Sequence, residues 1–229
     1  MINYKEFLEK TGVTMTDLSL IKQAFTHRSY INENREMNLS HNERLEFLGD
    51  AVLELVVTDF LYREFPDKTE GDMTSLRSAL VNAVTLASVA TDLNVNDYLL
   101  LSKGEGRDTG RARQYILANT MESIIGAIYM DAGYDEAKKF ITTNITPRVT
   151  AIIADGTWID NKSKFQEKAQ DEVSITPAYK TVKETGPDHD KRFEVGVYLD
   201  KELIAKGEGK SKQDAEQDAA KKALESKGW

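Results

Sequence analysis

The spacing of the apolar residues changes once along this chain, near residues 154–161. Before that stretch, apolar side chains recur every three to four residues, which predicts helices around residues 4–12, 17–30, 43–63, 73–92, 113–132 and 135–152. The stretch "ADGTWIDN" then interrupts the pattern with Gly, Asp and Asn residues, which are typical of a linker. We therefore expect an all-helical domain over residues 1–153, a linker over 154–160 and a second domain over 161–229.

The second domain has a different pattern. A short helix is predicted from about Ser163 to Glu172, and three segments with the character of strands follow it: "PAYKTVKETG", "KRFEVGVYLD" and "ELIAKGEG". Ser211 and Asp214 have the spacing of a capping box, so a last helix should begin there. The predicted fold class is therefore multi-domain: an all-helical domain followed by an α-β-β-β-α domain with an antiparallel meander.

Composition narrows the possible functions. The chain has 30 Lys and Arg residues against 38 Asp and Glu residues, and residues 161–229 hold 14 of each, so residues 1–160 carry the whole excess of negative charge. Cysteine is absent, and the three histidines are scattered: His27, His41 and His189. This composition excludes disulfides and thiolate sites, so a metal ion would be a hard cation held by oxygen atoms. Without an export signal or a long apolar run, the chain is expected to be cytoplasmic, with no membrane partner.

The segment "HNERLEFLGD", residues 41–50, places carboxylates on a helix that also has an apolar side. On a helical projection, one stripe that should face a core contains Leu45, Leu48, Val52, Leu55 and Val56. The opposite side carries Glu43, Glu46, Asp50 and Glu54. Like charges at these spacings repel each other. The carboxylates therefore form either a solvated face or a site whose ligand neutralises them.

Two of these acids have ordinary explanations. Ser40 and Glu43 have the spacing of a capping box, so Glu43 would serve the start of the helix. Glu54 lies one turn beyond Asp50 and can simply be exposed. Glu46 and Asp50, one turn apart, are the pair that remains to be explained.

A second polar pair lies in "ILANTMESIIGAIYMDAGY", where Asn119 and Glu122 are one turn apart on a helix whose other side is apolar. If this helix lay against the first, Glu46, Asp50, Asn119 and Glu122 would converge into a cage of oxygen atoms. Mg²⁺ is the natural occupant of such a cage, because it takes carboxylate ligands and retains waters beside a phosphate substrate.

Phe47 projects beside the acids, on the polar side of its helix. An aromatic side chain gains nothing from its own core in that position. Phe47 is therefore either buried under a neighbouring helix or inserted into a second copy of the protein.

Several segments, in order, resemble bacterial ribonuclease III. In the helical domain they are "AFTHRSY", "HNERLEFLGDAVL", "LRSALVNAVTLA" and "ILANTMESIIGAIYMDAGY". In the second domain, "KSKFQEKAQ", "PAYKTVKETGPDHDKRFEV" and "GEGKSKQDAEQDAAKKAL" resemble the double-stranded RNA-binding module of that family. The resemblance covers nearly the whole chain.

The resemblance implies an endoribonuclease that hydrolyses both strands of duplex RNA and leaves 5′-phosphate and 3′-hydroxyl ends. Its cofactor would be Mg²⁺, for which Mn²⁺ can substitute, held by Glu46, Asp50, Asn119 and Glu122, with Asp50 and Glu122 most important for catalysis. The family usually has Asp where this chain has Asn119. The asparagine amide keeps an oxygen atom that can bind the cation, but it lacks the negative charge of an aspartate carboxylate. The alternative is a catalytically impaired dimer that only binds duplex RNA.

For the second domain, the resemblance implies three contacts with A-form duplex, whose shape is recognised through phosphates and 2′-hydroxyls. One minor groove would be contacted by Ser163, Gln166, Glu167 and Gln170. His189 would reach the next minor groove. The phosphates between them would be bound at the start of the last helix by Lys210, Ser211 and Lys212. Gln213 replaces a basic residue that is usual there, so affinity should be lower than is typical.

The family also implies a homodimer, because cleavage of two strands in one encounter needs two acidic clusters, and Phe47 would anchor it. Precursors of ribosomal RNA and structured messenger RNAs are the expected substrates. No small-molecule cofactor is expected.

Overall fold

Two polypeptide units, Met1–Trp158 and Ile159–Trp229, make up the computed structural model of this chain. The structure describes residues 2–37, 39–156, 158–187 and 190–229. Within them, the first unit contains these α-helices: α1 (Tyr4–Thr11), α2 (Leu18–Ala24), α3 (Arg28–Glu33), α4 (Glu43–Glu64), α5 (Glu70–Val81), α6 (Ala83–Asp92), α7 (Arg111–Asn144) and α8 (Val149–Asp155). Short 3₁₀ segments lie at Val95–Tyr98, Glu105–Arg107 and Thr146–Arg148.

The helix expected over 73–92 is interrupted at Asn82. The backbone of Asn82 is extended, with φ −69° and ψ 161°, and its side chain accepts a hydrogen bond from the Thr85 amide at the start of α6. Asparagine is well suited to such an N-cap, because its side-chain oxygen satisfies an amide that the helix leaves free. Within α7, Gly133 departs from helical geometry with φ 80°, close to the predicted break between 132 and 135.

The start of α4 differs from the expectation. The residue before its first turn is Asn42, whose side chain makes no capping bond and instead donates to the buried carbonyl of Ala24. Glu43 is the first helical residue, so the capping box expected between Ser40 and Glu43 is wrong. The side-chain amide of Asn42 is used to attach α4 to the end of α2, so it does not cap α4.

The core of the first unit forms where α4 and α7 pack against each other. Leu53, Val56 and Val57 of α4 are buried, as are Met121 and Ile124 of α7. Leu55, predicted to face this core, is instead 58% exposed, which corrects the assignment of the apolar stripe. Leu53 and Val57, which lie outside the predicted stripe, are fully buried instead, so the covered side of α4 is turned away from Leu55.

The second unit contains helix α9 (Asn161–Val173), strands β1 (Ala178–Thr185), β2 (Arg192–Leu199) and β3 (Glu202–Gly209), and helix α10 (Lys212–Lys227). The strands form an antiparallel sheet in the order β1-β2-β3, as predicted. Helix α10 packs on β2 and β3, and α9 packs on α10. The capping box between Ser211 and Asp214 is present. The predicted fold class, a helical domain followed by α-β-β-β-α, is confirmed.

The division between the units lies after Trp158. Trp158 packs against the core of the first unit, with the Lys68 ammonium 4.7 Å from its ring centroid. Asp160 is the N-cap of α9 and accepts a hydrogen bond from Ser163. The linker over 154–160 stays a prediction. In the described part of the chain, no helix has the length and apolar character needed to cross a bilayer.

Candidate active site and RNA interface

Two glycines allow the backbones of α4 and α7 to touch. A Cβ atom on Gly49 would lie 1.7 Å from the backbone oxygen of Glu122, and one on Gly126 would lie 2.2 Å from the backbone oxygen of Leu45. Ordinary contacts of a Cβ atom begin near 3.4 Å, so no larger residue fits either position without moving a helix. The sequence reasoning overlooked these glycines, although each lies within four residues of a predicted ligand.

This close crossing brings the four predicted ligands together. The pKa of Glu122 is raised to about 8, first by burial and then by the negative charges of Asp50 and Glu46. The pKa of Glu46 is also raised, by burial and by the charges of Glu43 and Asp50, while a hydrogen-bonding contact from the Asn119 side chain opposes the shift. The two polar pairs therefore share one electrostatic environment at the crossing.

The acids beside this cluster, Glu43 and Glu54, each pair with an arginine. Glu43 lies 3.5 Å from Arg28 and 3.7 Å from a ring nitrogen of His41, and Glu54 lies 2.9 Å from Arg77. The cluster itself contains three carboxylates, those of Glu46, Asp50 and Glu122. None of the ion pairs between described residues involves any of them. Their charge is left for something other than a side chain to neutralise.

The side chains of this cluster fit a hard divalent cation. Three carboxylates and the carbonyl of Asn119 supply oxygen donors, which Mg²⁺ prefers, and partial burial of Glu46 and Glu122 makes negative charge there costly. Across the described residues, no three His, Cys, Asp or Glu side chains already form a group that could hold a metal ion.

Phe47 is 83% exposed, so within one chain it is not buried under a neighbouring helix. On the same outer side of α4, Leu55 is 58% exposed and Tyr62 is 72% exposed. A groove of about 610 Å³ lies beside Phe47, and its lining includes the apolar side chains of Leu20, Leu45, Leu48 and Met130. We call Phe47, Leu55 and Tyr62 the outer stripe of α4.

The predicted minor-groove residues lie together on the exposed side of α9. The inner side of this helix carries Phe165 and Ala169, both fully buried. The outer side carries Ser163, Gln166, Glu167 and Gln170, all exposed. The Ser163 hydroxyl donates to Asp160, 2.7 Å away, which ties this residue to the helix cap. His189 lies outside the described residues.

The predicted phosphate-binding residues precede or begin α10, and all three are exposed: Lys210, Ser211 and Lys212. The Ser211 hydroxyl accepts a hydrogen bond from the Asp214 amide, so it is used as a cap. The Lys212 ammonium lies 3.1 Å from a carboxylate oxygen of Glu184, a contact that the sequence reasoning did not foresee.

Two further polar contacts join α9 to α10. The Lys162 ammonium lies 2.6 Å from Glu216, and the Gln217 amide donates to Asp160 at 2.8 Å. The pKa of Asp160 is lowered: burial acts to raise it, and hydrogen bonds from Gln217 and Ser163 outweigh that effect. These contacts hold the exposed face of α9 in a fixed position relative to the start of α10.

Comparisons with known proteins agree with this two-part organisation. Residues 17–149 match the family described as Ribonuclease-III-like, and residues 161–227 match the double-stranded RNA binding motif. A protein named Ribonuclease 3 from Enterococcus faecalis is 46% identical over 221 residues, which cover 96% of each chain. Ribonuclease 3 from Streptococcus gordonii is 43% identical over 218 residues, covering 95% of this chain and 93% of the relative.

The first unit also resembles solved structures. A nuclease domain of ribonuclease III from Campylobacter jejuni is 38% identical to this chain, with a TM-score of 0.58. The match covers 65% of this chain and 97% of the Campylobacter jejuni chain. A second structure of that domain, described as flexible in a region involved in dimer formation, covers 63% of this chain and 97% of its own at 38% identity, with a TM-score of 0.57.

Proposed function

Since this chain belongs to the ribonuclease III family of endoribonucleases, with a nuclease domain and a double-stranded RNA-binding domain, we propose that it hydrolyses both strands of duplex RNA in a Mg²⁺-dependent reaction. The observation that carries the proposal is the acidic cluster at the crossing of α4 and α7. Glu46 and Glu122 are partly buried and Asp50 is exposed, each of the two partly buried acids is affected by the charge of Asp50, and no ion pair between described residues involves any of the three. Such a cluster would repel RNA unless a cation neutralised it.

The residues that would hold Mg²⁺ are Glu46, Asp50, Asn119 and Glu122. When bound there, the cation supplies charge neutralisation beside the scissile phosphate and activation of a water molecule. The carboxylates of Asp50 and Glu122 orient the reacting groups from the two helices, and the rigid crossing keeps them in place. The attacking water loses a proton as its oxygen forms a bond to phosphorus, and the bond from phosphorus to the 3′-oxygen breaks. The 3′-oxygen takes up a proton, which leaves 5′-phosphate and 3′-hydroxyl ends.

The function is tested by incubating the protein with a long RNA duplex, with and without Mg²⁺. Cleavage of both strands only with the cation is expected, and Mn²⁺ should substitute. Glu122→Gln should abolish cleavage and leave duplex binding intact, because RNA binding is assigned to the other domain. Glu54→Gln is the matched control: Glu54 is also a carboxylate at the α4 surface, but it pairs with Arg77. Equal loss of cleavage in both variants would contradict the assignment of the site.

A homodimer would give one cluster to each strand of the duplex. The outer stripe of α4 supports this proposal, because its exposed apolar side chains, with Phe47 beside a groove lined partly by apolar residues, are typical of an interface. Phe47→Ala should shift the monomer–dimer equilibrium toward monomer in sedimentation experiments. Val84→Ala is the control, since Val84 is 64% exposed on α6. An unchanged equilibrium for Phe47→Ala would rule out its role as anchor.

The second candidate is a catalytically impaired dimer that binds duplex RNA, and Asn119 is the observation that favours it. Loss of one carboxylate weakens attraction for a cation. Binding without cleavage at high Mg²⁺ and elevated pH would establish this alternative. We favour the active enzyme because three carboxylates remain in the cluster. An active enzyme would act in the cytoplasm on precursors of ribosomal RNA and on structured messenger RNAs.

A further inference from the structure

Lys212, one of the predicted phosphate-binding residues, contacts two side chains of the sheet in the second unit. Its ammonium lies 3.1 Å from a carboxylate oxygen of Glu184 and 5.7 Å from the ring centroid of Phe193. Glu184 and Phe193 are cross-strand partners in β1 and β2, so the carboxylate and the ring lie side by side under the lysine. Both contacts compete with any anion that approaches Lys212.

The position of this ion pair is fixed by the fold. Phe193 pairs in turn with Gly209 at the end of β3, and a Cβ atom on Gly209 would lie 2.4 Å from the backbone nitrogen of Ala215. The first turn of α10 therefore packs against the end of the sheet, which places Lys212 next to the cross-strand pair of Glu184 and Phe193. The side chains remain 58% and 43% exposed, so the pair can open without rearrangement of the backbone.

We propose that Glu184 limits the affinity of the second domain for duplex RNA by occupying Lys212. This inference rests on the proposed function, in which Lys212 binds a phosphate. A phosphate must replace the Glu184 carboxylate to reach the ammonium, and the displaced carboxylate then stays close to an anionic polymer. Both effects oppose binding. Glu184 thus sets the strength of binding without itself contacting the RNA.

The test is a binding measurement on the full chain, in EDTA to prevent cleavage, with a duplex longer than the roughly 16 base pairs that such a module spans. Glu184→Gln should bind about two- to fivefold more tightly at low salt, the range expected for release of one exposed ion pair. The gain should shrink as salt is raised, because exposed pairs are screened. Glu184→Ala should give the same gain.

The matched control is Glu194→Gln. Glu194 is on the neighbouring strand and pairs with Lys206 at 2.8 Å, so this change removes the same charge from the domain but leaves Lys212 occupied. Little gain is expected for it. In a Lys212→Gln background, Glu184→Gln should have no effect, because there is no lysine left to release.

The outcomes distinguish failure of the proposed contact between Lys212 and RNA from failure of the proposed role of Glu184. If Lys212→Gln alone leaves affinity unchanged, Lys212 does not contact RNA, and the assignment of that contact and the role of Glu184 both fail. If Lys212→Gln weakens binding but Glu184→Gln gives no gain, only the role of Glu184 fails. A gain that persists without Lys212, or that Glu194→Gln reproduces, would also overturn it, since removal of negative charge alone would then be the cause.

Discussion

Replacing Gly49 by alanine should separate the two helices that carry the proposed ligands. The new Cβ atom would lie 1.7 Å from the Glu122 backbone oxygen, whereas ordinary contacts begin near 3.4 Å, so the helices must move apart by about 1.7 Å. Overpacking of this kind costs roughly 1–3 kcal/mol or more. The higher helix propensity of alanine returns about 1 kcal/mol. A net loss of up to about 2 kcal/mol in the unfolding free energy of the first unit is therefore expected.

The cleavage rate should fall by more than the loss of folding stability alone would explain. Displacement of reacting groups by about 1 Å can cost on the order of 100-fold in rate. Gly49→Ala should therefore lose about that factor in cleavage of duplex RNA, under conditions in which circular dichroism shows it folded. Gly126→Ala needs a shift of only about 1.2 Å, from 2.2 Å to the same limit, and should show a smaller loss. Gly106→Ala is the control, because no atom lies within 4 Å of its Cβ position.

Two results would refute this reasoning. One is a denaturant unfolding curve for Gly49→Ala that overlays that of the unchanged protein, which would mean that the helices do not touch there. The other is an equal loss of activity in Leu80→Ala. Leu80 is fully buried in α5, so that variant loses stability without a direct change at the crossing. Equal losses would mean that activity follows stability alone.

Three further changes test other parts of the structure. Asn119→Asp should lower the Mg²⁺ concentration needed for half-maximal cleavage, measured by titration of the cation. Asp160→Asn should destabilise the second unit most near neutral pH: the folded pKa of Asp160 is lowered below 3.8, so its stabilisation is present above that value and is lost as the pH falls through the folded pKa. Thermal melts of both proteins should therefore differ above pH 3.8 and converge only as the pH falls below the lowered folded pKa of Asp160. Lys162→Glu and Glu216→Lys should each destabilise the second unit, and the double variant should recover part of that loss. A double-mutant cycle should give a coupling free energy of about 0.5–1 kcal/mol. Strict additivity of the two single effects would exclude direct pairing of these side chains.

The elements of the fold followed from local patterns. Helical periodicity located α4 and both arms of α7, alternation located β2, and the spacing of Ser211 and Asp214 located the start of α10. Each of these signals is contained within a few residues of chain. The break at Asn82 was missed because apolar residues continue on both sides of it, and a cap can interrupt a helix without disturbing that spacing.

Features that depend on distant parts of the chain were not visible in the sequence. The projection placed Leu55 in the core stripe, but which side of a buried helix is covered depends on where its neighbour crosses. That crossing is set by Gly49 and Gly126, which have no side chain to reveal it. The pairing of Lys212 with Glu184 likewise depends on strand register, which places residues 28 positions apart within 3.1 Å.

If Asn119 is a cation ligand as proposed, its amide should have opposite effects on the protein with and without the cation. The pKa of Glu122 is already raised to about 8 by burial and by two other carboxylates, so a further negative charge at residue 119 would add to an unfavourable cluster. The amide present there instead makes a contact that favours the charged form of Glu46. It therefore relieves repulsion when the cluster has no cation and weakens attraction when a cation arrives. For this reason Asn119→Asp should gain cation affinity and lose stability in EDTA, and a gain in both would show that repulsion within the cluster is not what the amide relieves.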